Sequence, residues 1–254
     1  ETWHRLAQGL RASDLMQRLF ISDLHLDSST SPQFLRFAEC LDLESSRVEE
    51  IYILGDLVEM WIGDDDDDPF ATALVSAITR ASSQCAVFLM HGNRDFLFGE
   101  QFARHTGVKL LPDIHQPEPG LLLCHGDELC VDDTAYQKLR LQLRSSAWQS
   151  EFLARPLTER HAFGNDLRQR SMQENANKAE SIMDASPQAT AQLIDKHQVK
   201  VLIHGHTHRP EFSLTDRQQR RVVLGAWERC GWLCRQQDQR FSLECFSLAR
   251  RYGT

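Results

Sequence analysis

The sequence predicts an α/β sandwich, with β-sheets packed face to face, helices outside them, and a helical cap inserted over the strand ends. Three observations predict it. Short apolar runs recur and each stops at a polar cluster; stretches with helical spacing separate the early runs; and past residue 210 the pattern turns to closely spaced strands with turn signals.

The apolar runs come in order as "RLFIS" before "DLHL", "EIYIL" before "GDLVEMW", "CAVFLM" before "HGNRD", "LLLC" before "HGDELC" and "KVLI" before "HGHTH". Between them, Phe34, Phe37 and Leu41, then Ala73, Leu74, Ala77 and Ile78, repeat at helical spacing. Residues 134–183 break the rhythm with a helical composition in which Leu139, Leu143, Trp148, Phe152, Leu153, Leu157 and Phe163 lie among basic residues. Eight basic residues stand against four acidic ones between 136 and 178. Such a block reads as a packed amphipathic hairpin, or as a cap whose apolar face, Phe152 and Leu153 included, forms a groove over the strand ends while its cations meet anionic groups. After residue 210, "RVVLGAW", "GWLCRQ" and "FSLECFSL" are expected to form a second, more antiparallel sheet. The division expected is a polar leader over 1–17, of unassigned role, and one domain over 18–250 carrying the insertion.

The 254 residues are enough for one substantial core, and 28 basic against 36 acidic side chains give a net charge of −8, which disfavours nonspecific binding to nucleic acid. Seven scattered cysteines, several inside apolar runs, read as buried thiols in a reducing compartment, Cys230 and Cys234 among them. No apolar run is long enough to span a membrane, and the N-terminal stretch lacks the pattern of a secretion signal. The acids 64–68, "DDDDD", cannot all face one ion and read as a solvated loop; Trp61 and Met60 beside them read as core.

In sheets alternating with helices, ligands gather at the carboxyl ends of strands. Asp23, His25, Asp56, Asn93, His125, His206 and His208 all fall there, from five separate elements. Carboxylates, imidazoles and an amide oxygen make up the inventory of a dinuclear metal site, in which one carboxylate bridges ions roughly 3.5–4 Å apart. Asp56 is the natural bridge, since Gly55 before it lets the backbone come close. This donor set suits Mn²⁺, Fe or Zn²⁺ better than Ca²⁺ and does not choose among the three. His204, His206 and His208 alternate, so an extended chain would start all three rings on one face without giving them one task.

In this order, "DLH", "GD", "GNRD", "HGD" and "GHTH" resemble the motifs of the calcineurin-like metallophosphoesterases. The resemblance implies that Asp23, His25, Asp56 and His208 hold one metal and that Asp56, Asn93, His125 and His206 hold the other. His204 is left to packing. One departure is informative: that family usually has "GNH", whereas this chain has Asn93, Arg94, Asp95. Arginine cannot serve as a general acid near neutral pH, but its planar fork can clamp phosphoryl oxygens, which implies a leaving group that needs no proton.

The same departure, with "YILGDLVEMWIGDDD", "CVDDTAYQ", "NKAESIMD", "KHQVKVLIHGHTHRP" and "RVVLGAW", resembles the UDP-2,3-diacylglucosamine hydrolase branch over about residues 18–228. That resemblance implies two Mn²⁺ per chain and attack of hydroxide at the α-phosphorus of the sugar-nucleotide lipid, giving UMP and 2,3-diacylglucosamine 1-phosphate in lipid A biosynthesis. It implies a monomer working peripherally on the cytoplasmic face of an anionic inner membrane, without nucleic acid. Asp56, Asn93, Arg94 and His206 would act at the reacting phosphate. Asn93, Arg94, Asp133, His206, Ser171, Asn175 and Lys178 would hold the substrate, although "RSMQENANK" around the last three departs from the branch's pattern. Two other readings of the same residues are a nuclease or other phosphodiesterase, and a noncatalytic scaffold of the same fold.

Overall fold

The computed structural model describes residues 16–177, 184–215 and 217–253, with the side chains of 170–172 and 174–177 left aside. The expected leader therefore lies outside the described residues except for Met16 and Gln17.

Each of the five apolar runs forms a strand: β1 (Gln17–Ile21), β2 (Glu50–Leu54), β3 (Ala86–Met90), β6 (Leu121–Cys124) and β7 (Val201–His204). Two further strands are too short or too polar to stand out in the sequence, β4 (Lys109–Leu111) and β5 (Ile114–Glu118). The late strands are β8 (Glu211–Leu214), β9 (Arg220–Val223), β10 (Cys230–Gln237) and β11 (Arg240–Ser247). One sheet runs β11-β10-β1-β2-β3-β4 and the other β5-β6-β7-β9-β8. Here the expectation for the C-terminal region fails: its strands divide. β8 and β9 join the sheet of β6 and β7, whereas the β10–β11 hairpin pairs antiparallel with β1 and extends the first sheet. A hairpin's own residues specify its turn and alternation, not the sheet edge it joins.

The five strands of the apolar runs are largely apolar on both faces because each face enters a different core. Phe20, Tyr52, Leu54 and Met90 meet Leu121, Leu123, Val201, Ile203 and Val222 between the sheets. Their neighbours Leu19, Ile21, Ile51, Ile53, Val87 and Leu89 point the other way, against α1 (Pro32–Glu44), α2 (Pro69–Ser82) and α3 (Glu100–Thr106). Leu122, Cys124 and Leu202 pack instead with Ile194 of α7 (Pro187–His197). The result is four layers, two sheets between two helical faces. Ser31, Asp68 and Ser186 cap α1, α2 and α7, each followed by proline at the first helical position.

The insertion forms α4 (Thr134–Leu143), α5 (Ser146–Leu153) and α6 (Leu157–Asn177). Phe152 does not line an open groove: it is 2% exposed, stacks on Trp148 at 4.8 Å and meets Phe163 at 5.1 Å. Leu153 beside it is 41% exposed and lines a cavity of about 350 Å³ with Phe96, Leu97 and Phe98. Phe152→Ala is therefore expected to loosen α5 and α6 by about 3–5 kcal/mol, the cost of a buried aromatic truncation. Hydrogen exchange should show lost protection in those helices and little change in β1–β3; unchanged exchange in α5 would contradict this packing.

Four of the insertion's cations dock it. Arg140 reaches Asp127 at 2.7 Å and Asp113 at 2.8 Å, Arg144 reaches Asp113 at 2.7 Å, and Arg168 reaches Glu59 at 3.2 Å. Arg160, 2% exposed, is paired with Asp65. The acidic run is accordingly solvated only in part, with Asp65 and Asp67 exposed. Asp64 accepts from the Trp61 indole and from the N–H groups of Gly99 and Phe102, Asp66 stands 3.6 Å from His161, and Asp68 caps α2. Adjacent acids cannot share one ion, but here four of them serve three helices, Asp64 at α3, Asp65 and Asp66 at α6 and Asp68 at α2. Trp61 is core at 4% exposure, as expected. All seven cysteines are free; Cys40, Cys124, Cys130 and Cys234 are buried, while Cys85 and Cys230 are half-buried and Cys245 is exposed.

Candidate metal centre

Beyond β1, β2 and β7 the chain turns sharply, and the turns carry the candidate ligands. Of eight non-glycine residues with left-handed φ among those described, five are Asp23 (55°), His25 (49°), Asp56 (50°), His206 (66°) and His208 (56°). Each reverses the local backbone so that neighbouring side chains converge. Gly55, at φ 87°, sits where a Cβ would come within 2.6 Å of the Gly92 Cα, so the β2 and β3 loops touch backbone to backbone. At Gly205 a Cβ would lie 2.1 Å from an Asp23 carboxylate oxygen. Glycine there lets Asp23 accept from the His206 N–H at 3.0 Å and from the Ser22 hydroxyl at 2.5 Å.

Six of the seven predicted ligands fall into two groups, Asp23, His25 and His208 in one, Asp56, His125 and His206 in the other, with the ligand atoms of each group within 4.8 Å of one another. Asp56, 2% exposed, faces both: Oδ2 is 3.8 Å from His25 Nε2 and Oδ1 is 3.7 Å from His125 Nε2. Asn93 belongs with the second group, its Oδ1 standing 3.1 Å from His125 Nε2 and 2.9 Å from His206 Nδ1.

The donors fit divalent cations. His125 Nδ1 donates to the Leu54 carbonyl at 2.8 Å, and a carbonyl only accepts, so the lone pair of Nε2 is directed into the site. His25 Nε2 and His208 Nε2 face each other at 3.2 Å beside the Asp23 carboxylate. Two such nitrogens repel unless a cation or a proton stands between them. Burial opposes charge on His125, yet the carboxylates of Asp56, Asp127 and Asp23 outweigh it and lift its pKa to about 9. Burial likewise opposes ionisation of Asp23, but His208, by hydrogen bond and by charge, holds that carboxyl well below the usual range. A field that attracts protons this strongly also attracts metal.

His204 stays out of both groups. It is fully buried, its Nδ1 donates to the Gly205 carbonyl at 2.9 Å, and its Nε2 accepts from Arg221 at 3.0 Å. Burial, then Arg221, pushes its pKa down to about 3, so it remains neutral.

Arg94 lies beside the first group in a cavity of about 280 Å³ with Asp23, His25, Glu59, His208 and Trp227 on its walls. Its backbone N–H donates to Asp56 Oδ1 at 2.8 Å. Asp133 is absent from that lining; it is buried and caps α4 through the Tyr136 N–H at 3.1 Å. The side chains of Ser171 and Asn175, and Lys178 altogether, lie outside the described residues.

Three carboxylates that hold the site went unassigned in the sequence. Asp95, fully buried, accepts from the N–H groups of Gly92 and Leu57 at 2.7 Å each and so ties the β3 loop to the β2 loop. Asp127, also fully buried, takes the Tyr136 hydroxyl at 2.5 Å and Arg140, joining the ligand loop of His125 to α4. Glu59 accepts from His25 Nδ1 at 3.0 Å. The available signal was their place, inside "GNRD", "HGD" and "GDLVEMW", next to the ligands themselves.

Comparison with known proteins matches residues 16–210 to the calcineurin-like phosphoesterase family model. Curated relatives named UDP-2,3-diacylglucosamine hydrolase include one from Cellvibrio japonicus, 44% identical over 85% of this chain and 93% of that protein. Others come from Hahella chejuensis, 41% identical over 90% of this chain and 96% of that protein, and from Serratia proteamaculans, 43% identical over 84% and 91%.

Proposed function

The chain belongs to the calcineurin-like phosphoesterases, and we propose that it hydrolyses the diphosphate of UDP-2,3-diacylglucosamine at the α-phosphorus, giving UMP and 2,3-diacylglucosamine 1-phosphate, with two Mn²⁺ as its metals. One observation carries the reading: Asp56 faces two separate ligand groups while its Oδ1 also holds the backbone of Arg94, so a phosphate clamp is built onto the bridging carboxylate. The names of relatives at 41–44% identity support the substrate.

Asp23, His25, Asp56 and His208 would hold one ion, and Asp56, Asn93, His125 and His206 the other. When bound, such a pair supplies Lewis acidity toward phosphoryl oxygens and an activated water. The chain's own residues do the rest. The Arg94 fork binds phosphate oxygens, Asn93 and His206 act on the reacting phosphate from the second ligand group, and no side chain need protonate a departing phosphate, whose acidity is already sufficient. Tyr136, its ring centroid 6.1 Å from that of His206, closes the insertion side.

The lipid substrate also brings the protein to a membrane. No helix among the described residues is long and apolar enough to cross one. On α4, Leu139 and Leu141 are 38% and 71% exposed beside an exposed Lys138, a surface suited to peripheral contact with anionic headgroups on the cytoplasmic face of the inner membrane. The test presents UDP-2,3-diacylglucosamine in phosphatidylglycerol and in phosphatidylcholine vesicles, with bis-p-nitrophenyl phosphate and single-stranded DNA as competing substrates. Turnover of the lipid is expected to exceed both competitors and to be faster on the anionic vesicles. Preference for DNA overturns the substrate, and equal rates on the two vesicles overturn the membrane contact.

A further inference from the structure

Glu59 has two carboxylate oxygens with two different duties. Oε2 is 3.0 Å from His25 Nδ1; Oε1 is 3.2 Å from Arg168 Nε on α6 and 3.8 Å from the Arg94 guanidinium. The side chain is only 15% exposed, so these contacts act with little screening by water. Its position is fixed by backbone: the Glu59 N–H donates to the Leu26 carbonyl at 2.9 Å, and Leu26 bridges Val58 in parallel, so the loops after β1 and β2 run side by side.

An ionised carboxylate only accepts hydrogen bonds, so His25 carries its proton on Nδ1 and turns the lone pair of Nε2 toward Asp23, Asp56 and His208. We infer that Glu59 is a positioning residue: it sets the tautomer and ring orientation of His25 for one cation while holding the Arg94 fork over the same cavity. The Arg94 half rests on the proposed hydrolysis; the His25 half does not.

The competing role for Glu59 is a dock for the insertion through Arg168, and three variants separate the two. Bound Mn²⁺ is counted by paramagnetic resonance as the ion is titrated into Glu59→Ala, Glu59→Gln and Arg168→Ala. Loss of the carboxylate behind a ligating histidine is expected to weaken one of the two ions about 10–100-fold in Glu59→Ala and leave the other in place. Glu59→Gln, whose amide oxygen still accepts from Nδ1, is expected to show a smaller loss, and Arg168→Ala none. The KM for UDP-2,3-diacylglucosamine should rise in both Glu59 variants. Wild-type ion affinity in Glu59→Ala, or equal losses in Glu59→Ala and Arg168→Ala, overturns the inference. Should Glu59→Ala not fold, wild-type affinity in Glu59→Gln overturns it instead. If the wild-type protein does not turn over the lipid, the hydrolysis reading falls and the titration still decides the role of Glu59.

Discussion

Asp56→Ala is expected to abolish turnover and to cost the protein both of its ions. The two oxygens of Asp56 point to different ligand groups, Oδ2 toward His25 and Oδ1 toward His125, so removing one side chain opens both coordination shells. It also deprives the Arg94 N–H of its acceptor and leaves a cavity beside the buried or half-buried imidazoles of His25, His125 and His206. Activity should fall by more than about 10³, beyond the loss from deleting a single transition-state hydrogen-bond donor. Metal content by plasma emission checks the other half. A variant that keeps two ions per chain removes Asp56 from the bridge.

Arg94→His should have the opposite signature, a loss of about 10²–10³ in kcat/KM with the ions retained. The tether between this loop and Asp56 is a main-chain N–H that survives any substitution except proline, and Asp95 independently ties the same loop to Gly92 and Leu57. What changes is a guanidinium fork at the cavity wall. An imidazole offers a phosphate one donor where arginine offers a bidentate pair. If the variant loses metal, the arginine is a structural part of the ligand set and not a phosphate clamp.

Much of this site was legible in the sequence because its ligands terminate strands that are apolar on both faces. Runs such as "EIYIL" and "KVLI" alternate between two cores, and a strand committed on both faces must expose its chemistry at its end. The parts that were not legible depend on pairing in space. Nothing within β10 and β11 specifies that they join β1, and nothing in "DDDDD" reveals that Asp65 pairs with an arginine 95 positions away. Phe152 and Leu153 share a helical composition but part company by one position, which places one ring in an aromatic stack and the next side chain at the surface. Glu59 and Asp95 lay inside recognisable motifs, yet their partners are a ring nitrogen and backbone amides, which no spacing rule encodes.

The left-handed turns at Asp23, His25, Asp56, His206 and His208 also set folding against chemistry. A non-glycine residue in that conformation costs about 1 kcal/mol, so the five together cost roughly 5 kcal/mol, comparable with the entire net stability of many domains, about 5–15 kcal/mol. Glycine would relieve each of them and supply no ligand. A search for thermostable variants that did not screen for activity would therefore be drawn first to His208, the exposed one of the five, where glycine relieves the turn without leaving a buried hydrogen bond unmade, and would gain stability while dismantling the centre the turns exist to assemble.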